Sequence, residues 1–108
     1  MKEIKAIVRP SRLHKIHDAF RQLPGFPGMN ISQVEGCSAH AGMLQHDNLK
    51  EELTDFTKKV RIEIVAPDEM LANILEIIHS NANTGHTGDG VLWVTEVQEF
   101  RRLCLPSV

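Results

Sequence analysis

The chain has 108 residues, enough for one domain with a hydrophobic core and too few for two. With 42% hydrophobic and 24% charged residues and a net charge of −2, it lacks the strong field that draws a protein to nucleic acid or an anionic membrane. No signal peptide is evident, and Cys37 and Cys104 do not have zinc-finger spacing. We therefore expect one cytoplasmic domain, residues 1–108, with free thiols.

The first third of the chain predicts a strand followed by a helix. Ile4, Ala6 and Val8 alternate with charged residues, as in a half-buried strand, and Pro10 ends the run. Ser11 is placed to cap the next helix. Apolar residues then recur at helical spacing and indicate an amphipathic helix: Leu13, Ile16, Phe20 and Leu23.

A proline- and glycine-rich turn at residues 24–28 leads into a second strand over residues 29–35. Its alternation is imperfect, since Met29 and Ile31 share a phase that Val34 does not, and we expect a bulge to compensate. Residues 36–55 are polar and without periodicity. A segment of that length inside a small domain is usually functional or disordered, and we expect it to be poorly ordered without a ligand.

The second half repeats the strand and helix pattern. Val60, Ile62 and Ile64 alternate with charged residues and predict a third strand, after which Asp68 is placed to cap a helix. Residues 91–97 predict a fourth strand. The apolar stripe of the second helix consists of Leu71, Ile74, Leu75, Ile78 and Ala82.

The predicted order β-α-β-β-α-β favours an α+β, ferredoxin-like fold, with two helices on one face of a four-stranded antiparallel sheet. The other face should also be apolar. The residues assigned to it by their phase are Ile7, Val65, Leu92 and Val94. Because a sheet with two apolar faces needs a second cover, we expect the chain to form an oligomer.

Residues 84–90, Thr-Gly-His-Thr-Gly-Asp-Gly, carry three glycines between the second helix and the fourth strand. Glycines allow positive φ and close approach of backbone to a ligand, so the segment is either a plain turn or an anion-binding loop. Asp89 either caps backbone N–H groups within this turn or belongs to a loop that contacts phosphate. On the second interpretation, a side chain at Gly88 or Gly90 should abolish binding and leave the fold intact.

Several stretches of the chain resemble the PII signalling protein family: residues 1–10, 28–29, 59–68 and, above all, 84–90, which match its Thr-Gly-x-x-Gly-Asp-Gly signature. The resemblance implies a ferredoxin-like homotrimer that binds adenine nucleotides between subunits and regulates a partner protein rather than catalysing a reaction. It also implies three loops: a T-loop at about 36–55 that contacts the partner, a B-loop at 84–90, and a C-terminal loop at about 98–108.

The resemblance implies the residues that contact the nucleotide. They are Ile7, Gly36, Ser38, Lys59, Val65, Thr84, Gly85, Gly88, Asp89, Gly90 and Arg102.

The chain departs from the family pattern at positions that carry charge. Val91 stands where the family has a phosphate-binding lysine, Cys104 where it has a second arginine, and His40 where it has glutamine. Because charge-assisted contacts to phosphate are strong, we expect ADP or AMP to bind better than ATP. With no tyrosine in the chain, tyrosine uridylylation is excluded.

Two other functions remain open at this point. Cys37, His40 and His46 are residue types that bind zinc, copper or nickel, so the chain could regulate a heavy-metal efflux system, or the three could belong to a solvated loop. PII-like relatives near bicarbonate transporters suggest a carbon sensor instead. The regulated partner would be a membrane transporter or an enzyme. No nucleophile elbow or His-Glu-x-x-His motif is present, which favours a regulator over an enzyme.

Overall fold

The computed structural model describes residues 1–37 and 56–104. Two 3-10 turns, Pro10–Arg12 and Asp68–Met70, lead into the helices. In the described residues neither helix is long and apolar enough to cross a membrane. The element order confirms the predicted β-α-β-β-α-β pattern: β1 (Lys2–Val8), α1 (Leu13–Arg21), β2 (Asn30–Gly36), β3 (Thr57–Ala66), α2 (Leu71–Ala82) and β4 (Gly90–Glu96).

The four strands form one antiparallel sheet in the order β2-β3-β1-β4, as the ferredoxin-like arrangement requires. β1 lies in the middle and pairs along its whole length with both β3 and β4. At one end of the sheet Val8 pairs with Val60 and Gly90, and we call this the loop end. At the other, Lys2 pairs with Ala66 and Glu96, and we call this the N-terminal end.

The hydrophobic core lies between the two helices and one face of the sheet. Alternate residues of β1 and β3 point toward the helices because successive side chains of a strand lie on opposite faces. Ile16 and Phe20 of α1 and the apolar stripe of α2 cover them. The buried core consists of Ile4, Ala6, Val8, Ile16, Phe20, Val60, Ile62, Ile64, Ala66, Ile74, Ile78 and Ala82.

The open face of the sheet carries a different set of β4 residues from the one expected. Leu92 and Val94 were assigned to it wrongly: they pair with Ala6 and Ile4, and they pack against the core on the helix side. The side chains that β4 places on the open face are Val91, 61% exposed, and Trp93, 42% exposed. The error arises because β4 is apolar on both phases, so its sequence alone does not show which phase faces the helices.

Ile7 and Val65 do lie on the open face, since they are paired with Val91 and Glu3 respectively. The predicted bulge in β2 is wrong. Its pairing with β3 runs without interruption from Asn30 to Gly36. The alternation looked imperfect because Ile31, paired with Ile62, lies on the helix side, whereas Val34, paired with Lys59, lies on the open face.

The two predicted helix caps are also wrong. Ser11 and Asp68 lie within the 3-10 turns, and no side chain caps either of those turns. Backbone bonds from Arg12 to Arg9 and from Met70 to Pro67 start these segments instead. The Asp68 carboxylate, which was expected to accept N–H groups of its own helix, forms an ion pair with the N-terminal amine at 3.0 Å.

Gly90 begins β4 at a point where the sheet leaves no room for a side chain. Its φ is +120°, and a Cβ there would lie 1.9 Å from the Ile7 carbonyl oxygen. This corrects the expectation that Gly90, like Gly88, could take a side chain without loss of fold. Gly28 has a similar φ of +106° with no atom near its Cβ position.

We predict that Gly90→Ala destabilises the chain much more than Gly28→Ala. Both substitutions put alanine at positive φ, which costs on the order of 1–2 kcal/mol. Only Gly90→Ala also pushes β4 away from β1, which adds roughly 1–3 kcal/mol. Urea unfolding at one protein concentration measures the free energy of unfolding of both variants. Equal losses of stability would contradict the close approach of Gly90 to Ile7.

Candidate functional site

The glycine loop, Thr84–Gly90, connects α2 to β4 at the loop end of the sheet. Its three glycines all have positive φ: +81° at Gly85, +91° at Gly88 and +120° at Gly90. The Asp89 N–H donates to the His86 carbonyl at 3.3 Å and closes a turn within the loop. The backbone therefore follows a path that residues with a Cβ adopt only at a cost.

The carboxylate of Asp89 holds this loop together. Its Oδ2 accepts the N–H groups of Thr84, Gly85 and His86 at 2.6, 3.0 and 3.3 Å. Its Oδ1 accepts the Thr84 hydroxyl and the Arg9 Nε–H, the latter at 3.2 Å. The structure shows the turn-capping interaction of Asp89, because its carboxylate accepts the N–H groups that begin the loop, and contact of the loop with phosphate stays a prediction.

These contacts favour the ionised form of Asp89. The Thr84 hydroxyl contributes most, followed by the Thr84 N–H, and the Arg9 and His86 donors add to them. Together they hold the pKa of Asp89 far below its ordinary value of 3.8.

Two cations bind carbonyl groups in the second half of the loop, those of Thr87 and Gly88. Arg9 donates from Nη2 to the Thr87 carbonyl at 2.9 Å, and Lys59 donates from Nζ to the Gly88 carbonyl. Partial burial lowers the pKa of Lys59, the charge of Arg9 lowers it further, and Asp89 partly opposes both. Lys59 therefore lies where an additional negative charge would be favourable.

The sequence interpretation did not include Arg9 among the binding residues. Arg9 directly follows Val8, which pairs with Gly90, so the antiparallel pairing of β1 with β4 places it beside the glycine loop. The signal was available in the predicted strand order, because a ferredoxin-like sheet puts the first and last strands side by side.

The structure brings most of the predicted nucleotide-binding residues together at the loop end. The Cβ position of Gly36 lies 3.6 Å from the Lys59 side chain, and that of Gly90 is against the Ile7 carbonyl. The residues grouped there are Ile7, Gly36, Lys59, Thr84, Gly85, Gly88, Asp89 and Gly90.

Val65 and Arg102 are not part of this group and lie at the N-terminal end of the sheet. There they line a cavity of about 440 Å³ whose other walls are Met1, Gly25, Phe26, Pro27, Pro67 and Phe100. The Arg102 guanidinium lies 5.5 Å from the centre of the Phe100 ring. Since Lys2 and Val8, at the two ends of β1, are six residue steps apart, the cavity is roughly 20 Å from the glycine loop of the same chain.

The predicted metal site is only partly within the described residues. Cys37 is an exposed free cysteine, whereas Ser38 of the nucleotide set and His40 and His46 of the metal set lie outside the residues that the structure describes. In residues 1–37 and 56–104, no three His, Cys, Asp or Glu side chains are grouped to hold a metal ion. No observation within these residues therefore favours the metal function.

Comparison with known proteins connects this geometry to a family. The family model described as nitrogen regulatory protein P-II matches residues 1–104. A nitrogen regulatory protein P-II of Azospirillum brasilense is 33% identical over 103 residues, which are 95% of this chain and 91% of the relative. The P-II 1 protein of Escherichia coli K12 is 34% identical over the same shares of the two chains.

We predict that Asp89→Asn loosens the glycine loop without unfolding the domain. In asparagine an NH2 group, which donates, replaces one of the two carboxylate oxygens, so the side chain can no longer accept from all the donors around Asp89. The N–H groups of Thr84, Gly85 and His86 should therefore exchange with solvent markedly faster. Hydrogen exchange followed by NMR measures this. Asp18→Asn, on the exposed surface of α1, is the control, and unchanged protection in Asp89→Asn would contradict the anchoring role.

The stability difference between the wild type and Asp89→Asn should depend on pH. A carboxylate with a lowered folded-state pKa contributes stability above its unfolded pKa and loses it as pH falls toward the folded value. We therefore expect a constant difference in Tm between pH 5 and 7, and a decreasing one below about pH 4. A difference that grows on acidification would contradict this sign.

Proposed function

Because the chain belongs to the P-II family of nitrogen regulatory proteins, we propose that it is a homotrimeric regulator that binds an adenine nucleotide between subunits. We propose further that the nucleotide controls docking of residues 36–55 on a partner protein in the cytoplasm, such as a membrane transporter. The proposal rests on the separation of two candidate half-sites: the glycine loop with its cations at the loop end, and the cavity at the N-terminal end of the sheet.

Each half-site offers what the other lacks. The loop end presents the cations Arg9 and Lys59, which suit phosphate. The N-terminal end presents a cavity with Phe26, Phe100 and Arg102, which suits a planar, partly apolar group. AMP and ADP are shorter than the roughly 20 Å between the two ends of one chain. A site made of both halves therefore requires the loop end of one copy beside the N-terminal end of another.

The surface of the sheet supports association of copies. Ile7, Val91 and Trp93 form an apolar area on the open face, and the last two are more than 40% exposed. Among residues 1–37 and 56–104, β2 and β4 are both edge strands, with unpaired backbone groups along their outer sides. A ring of copies would cover the apolar area and the edges together.

The position of residues 36–55 supports coupling between ligand and partner. Gly36 pairs with Thr57, so this segment leaves and rejoins the sheet at the loop end. The backbone of Gly36, the first residue of the segment, lies near the Lys59 side chain, since a Cβ at Gly36 would be 3.6 Å from Lys59 Cγ, and Lys59 also binds the Gly88 carbonyl. A ligand that binds Lys59 would therefore act where residues 36–55 leave the sheet. Ordering of a segment by a ligand is an established switching route.

The charges favour a nucleotide with few phosphates. Val91 and Cys104 are uncharged, and the cations that contact the glycine loop in the described residues are Arg9 and Lys59, opposed by Asp89. Calorimetry with ATP, ADP, AMP and cyclic AMP tests the proposal. ADP or AMP should bind most tightly, and the nucleotide function is wrong if none of the four binds below millimolar concentration.

We predict that Gly88→Val abolishes nucleotide binding and leaves a folded oligomer, which melts at a lower temperature because valine is forced to positive φ. The valine side chain would start 3.2 Å from Arg9 Nη2 and occupy the space beside both cations. Gly28→Val imposes comparable strain where no atom is near and serves as the control. Arg102→Ala should weaken binding less. Binding titrations with thermal melts decide, and a folded Gly88→Val that binds like the wild type would show that the loop is only a turn.

A further inference from the structure

A second cavity, of about 600 Å³, lies on the helix side of the sheet between α1 and β2, and we call it the flank groove. Its volume is in the range of small-molecule sites, which are mostly apolar with a few polar groups. Among the described residues, it shares only Phe26 with the cavity at the N-terminal end. The apolar side chains that line it are Pro10, Leu13, Phe20, Phe26, Met29 and Ile31.

The periodicity of α1 and of the chain entering β2 builds this groove. Leu13 and Phe20 are seven residues apart, two turns of helix, so they lie on the same side of α1. Met29 packs against the core, and Ile31, two residues further on, lies on the same side of the sheet. The rings of Phe20 and Phe26 stack with their centroids 4.3 Å apart, which gives the groove an aromatic floor.

The groove leaves apolar surface in contact with water. Ile31 is 52% exposed, although its strand partner belongs to the buried core. Phe26 and Met29, in the same groove, are only partly buried. A ligand that covers these side chains would remove apolar surface from water, which favours binding.

The helix side of the groove has a basic rim. The polar side chains that line it are His14, His17 and Arg21, and all three are exposed. Arg21 carries a permanent charge and has five N–H donors. Among residues 1–37 and 56–104, no acidic side chain lines the groove. The rim is therefore complementary to an anionic group.

Asp18 is the acid on this side of α1, and it lies outside the groove lining. Its carboxylate is 3.3 Å from His14 Nε2 and 4.0 Å from Arg21 Nη1. Because 4.0 Å is too long for a hydrogen bond, Asp18 does not hold the Arg21 donors in this contact. They can reach an anion in the groove.

We propose that the flank groove is a second ligand site, which binds a small amphipathic carboxylate. The hydrocarbon part lies along Phe26, Met29 and Ile31. The carboxylate meets the guanidinium of Arg21, whose planar fork matches two carboxylate oxygens. An apolar wall with a basic rim selects this class of ligand over a neutral lipid, which has no use for the rim, and over a simple anion, which has none for the wall.

Calorimetry on the full-length protein with three probes separates the contribution of chain and charge. Octanoate has both, 1-octanol has the same chain without the charge, and acetate has the charge without the chain. Arg21→Gln removes the rim cation. Lys15→Gln removes the same charge from an exposed position of α1 that does not line the groove, and is the matched control. Ile31→Thr shortens the apolar wall and keeps a β-branched residue in the strand.

We expect the wild type to bind octanoate more tightly than 1-octanol, and acetate not at all. Arg21→Gln should weaken octanoate by about threefold or more and leave 1-octanol unchanged, since an exposed charge-assisted contact contributes modestly. Lys15→Gln should leave octanoate binding nearly unchanged. Ile31→Thr should weaken octanoate and 1-octanol by similar factors. Asp18→Asn should keep or raise the affinity for octanoate, because it removes a negative charge near the rim.

NMR shifts of backbone amides locate the ligand, and octanoate should perturb α1 and the start of β2 rather than the glycine loop. The proposal is wrong if octanoate does not bind, or if Arg21→Gln and Ile31→Thr leave its affinity unchanged. Equal weakening of octanoate and 1-octanol by Arg21→Gln would also overturn it, because it would indicate a structural effect.

Light scattering tests the other occupant, a second copy of the chain. If Ile31→Thr lowers the oligomeric state and the wild type does not bind octanoate, a neighbouring copy covers the groove and the proposal fails. Titrations with ADP are independent of this result, since Arg21 and Ile31 line neither half-site in the described residues. The nucleotide function can therefore fail while the flank groove stands, and the reverse.

Discussion

The whole arrangement depends on the central position of β1, which pairs along its length with β3 on one side and β4 on the other. One face of this strand supplies Ile4, Ala6 and Val8 to the core. Its last residue, Val8, pairs with Val60 of β3 and Gly90 of β4 and so brings both to the same end of the sheet. The hydrophobic core and the placement of the candidate site are therefore consequences of one pairing register.

That register explains why a cation from each of two strands reaches the glycine loop. Arg9 continues from the end of β1, and Lys59 lies one residue before Val60 in β3. Both bind loop carbonyls, and Asp89 organises the N–H groups on the inner side of the loop. The loop is thus held by cations of two paired strands on one side and by its own carboxylate on the other, which is the kind of support that keeps a binding site in one geometry.

Much of the fold could be predicted from the sequence because its signals are local. The alternation in β1 and β3, the apolar stripes of both helices and the Asp-Gly turn are each contained in a few residues. The predictions that failed needed information from elsewhere in the chain. β4 is apolar on both phases, so only its pairing with β1 shows that Leu92 and Val94, rather than Val91 and Trp93, face the helices. Asp68 looked like a cap because its partner, the N-terminal amine, is 67 residues away in the chain.

The candidate site shows the same division between local and distant signals. The glycine loop was evident from its composition, and most of its expected neighbours lie beside it. The sequence pattern did not indicate Arg9, because its position beside the loop depends on the pairing of the first strand with the last. The clash at Gly90 likewise comes from the Ile7 carbonyl of another strand, so Gly88 and Gly90 look alike in sequence and differ in the structure.

We propose that a ligand site forms from the loop end of one copy and the N-terminal end of another. Mixing Gly88→Val subunits with Arg102→Glu subunits, each of which should bind ADP poorly alone, tests this most directly. If the site is shared between copies, mixed oligomers contain interfaces with an intact half from each variant, and a fraction of the ADP sites returns. If mass spectrometry shows mixed oligomers and calorimetry shows no recovery of ADP binding, the site does not lie between copies.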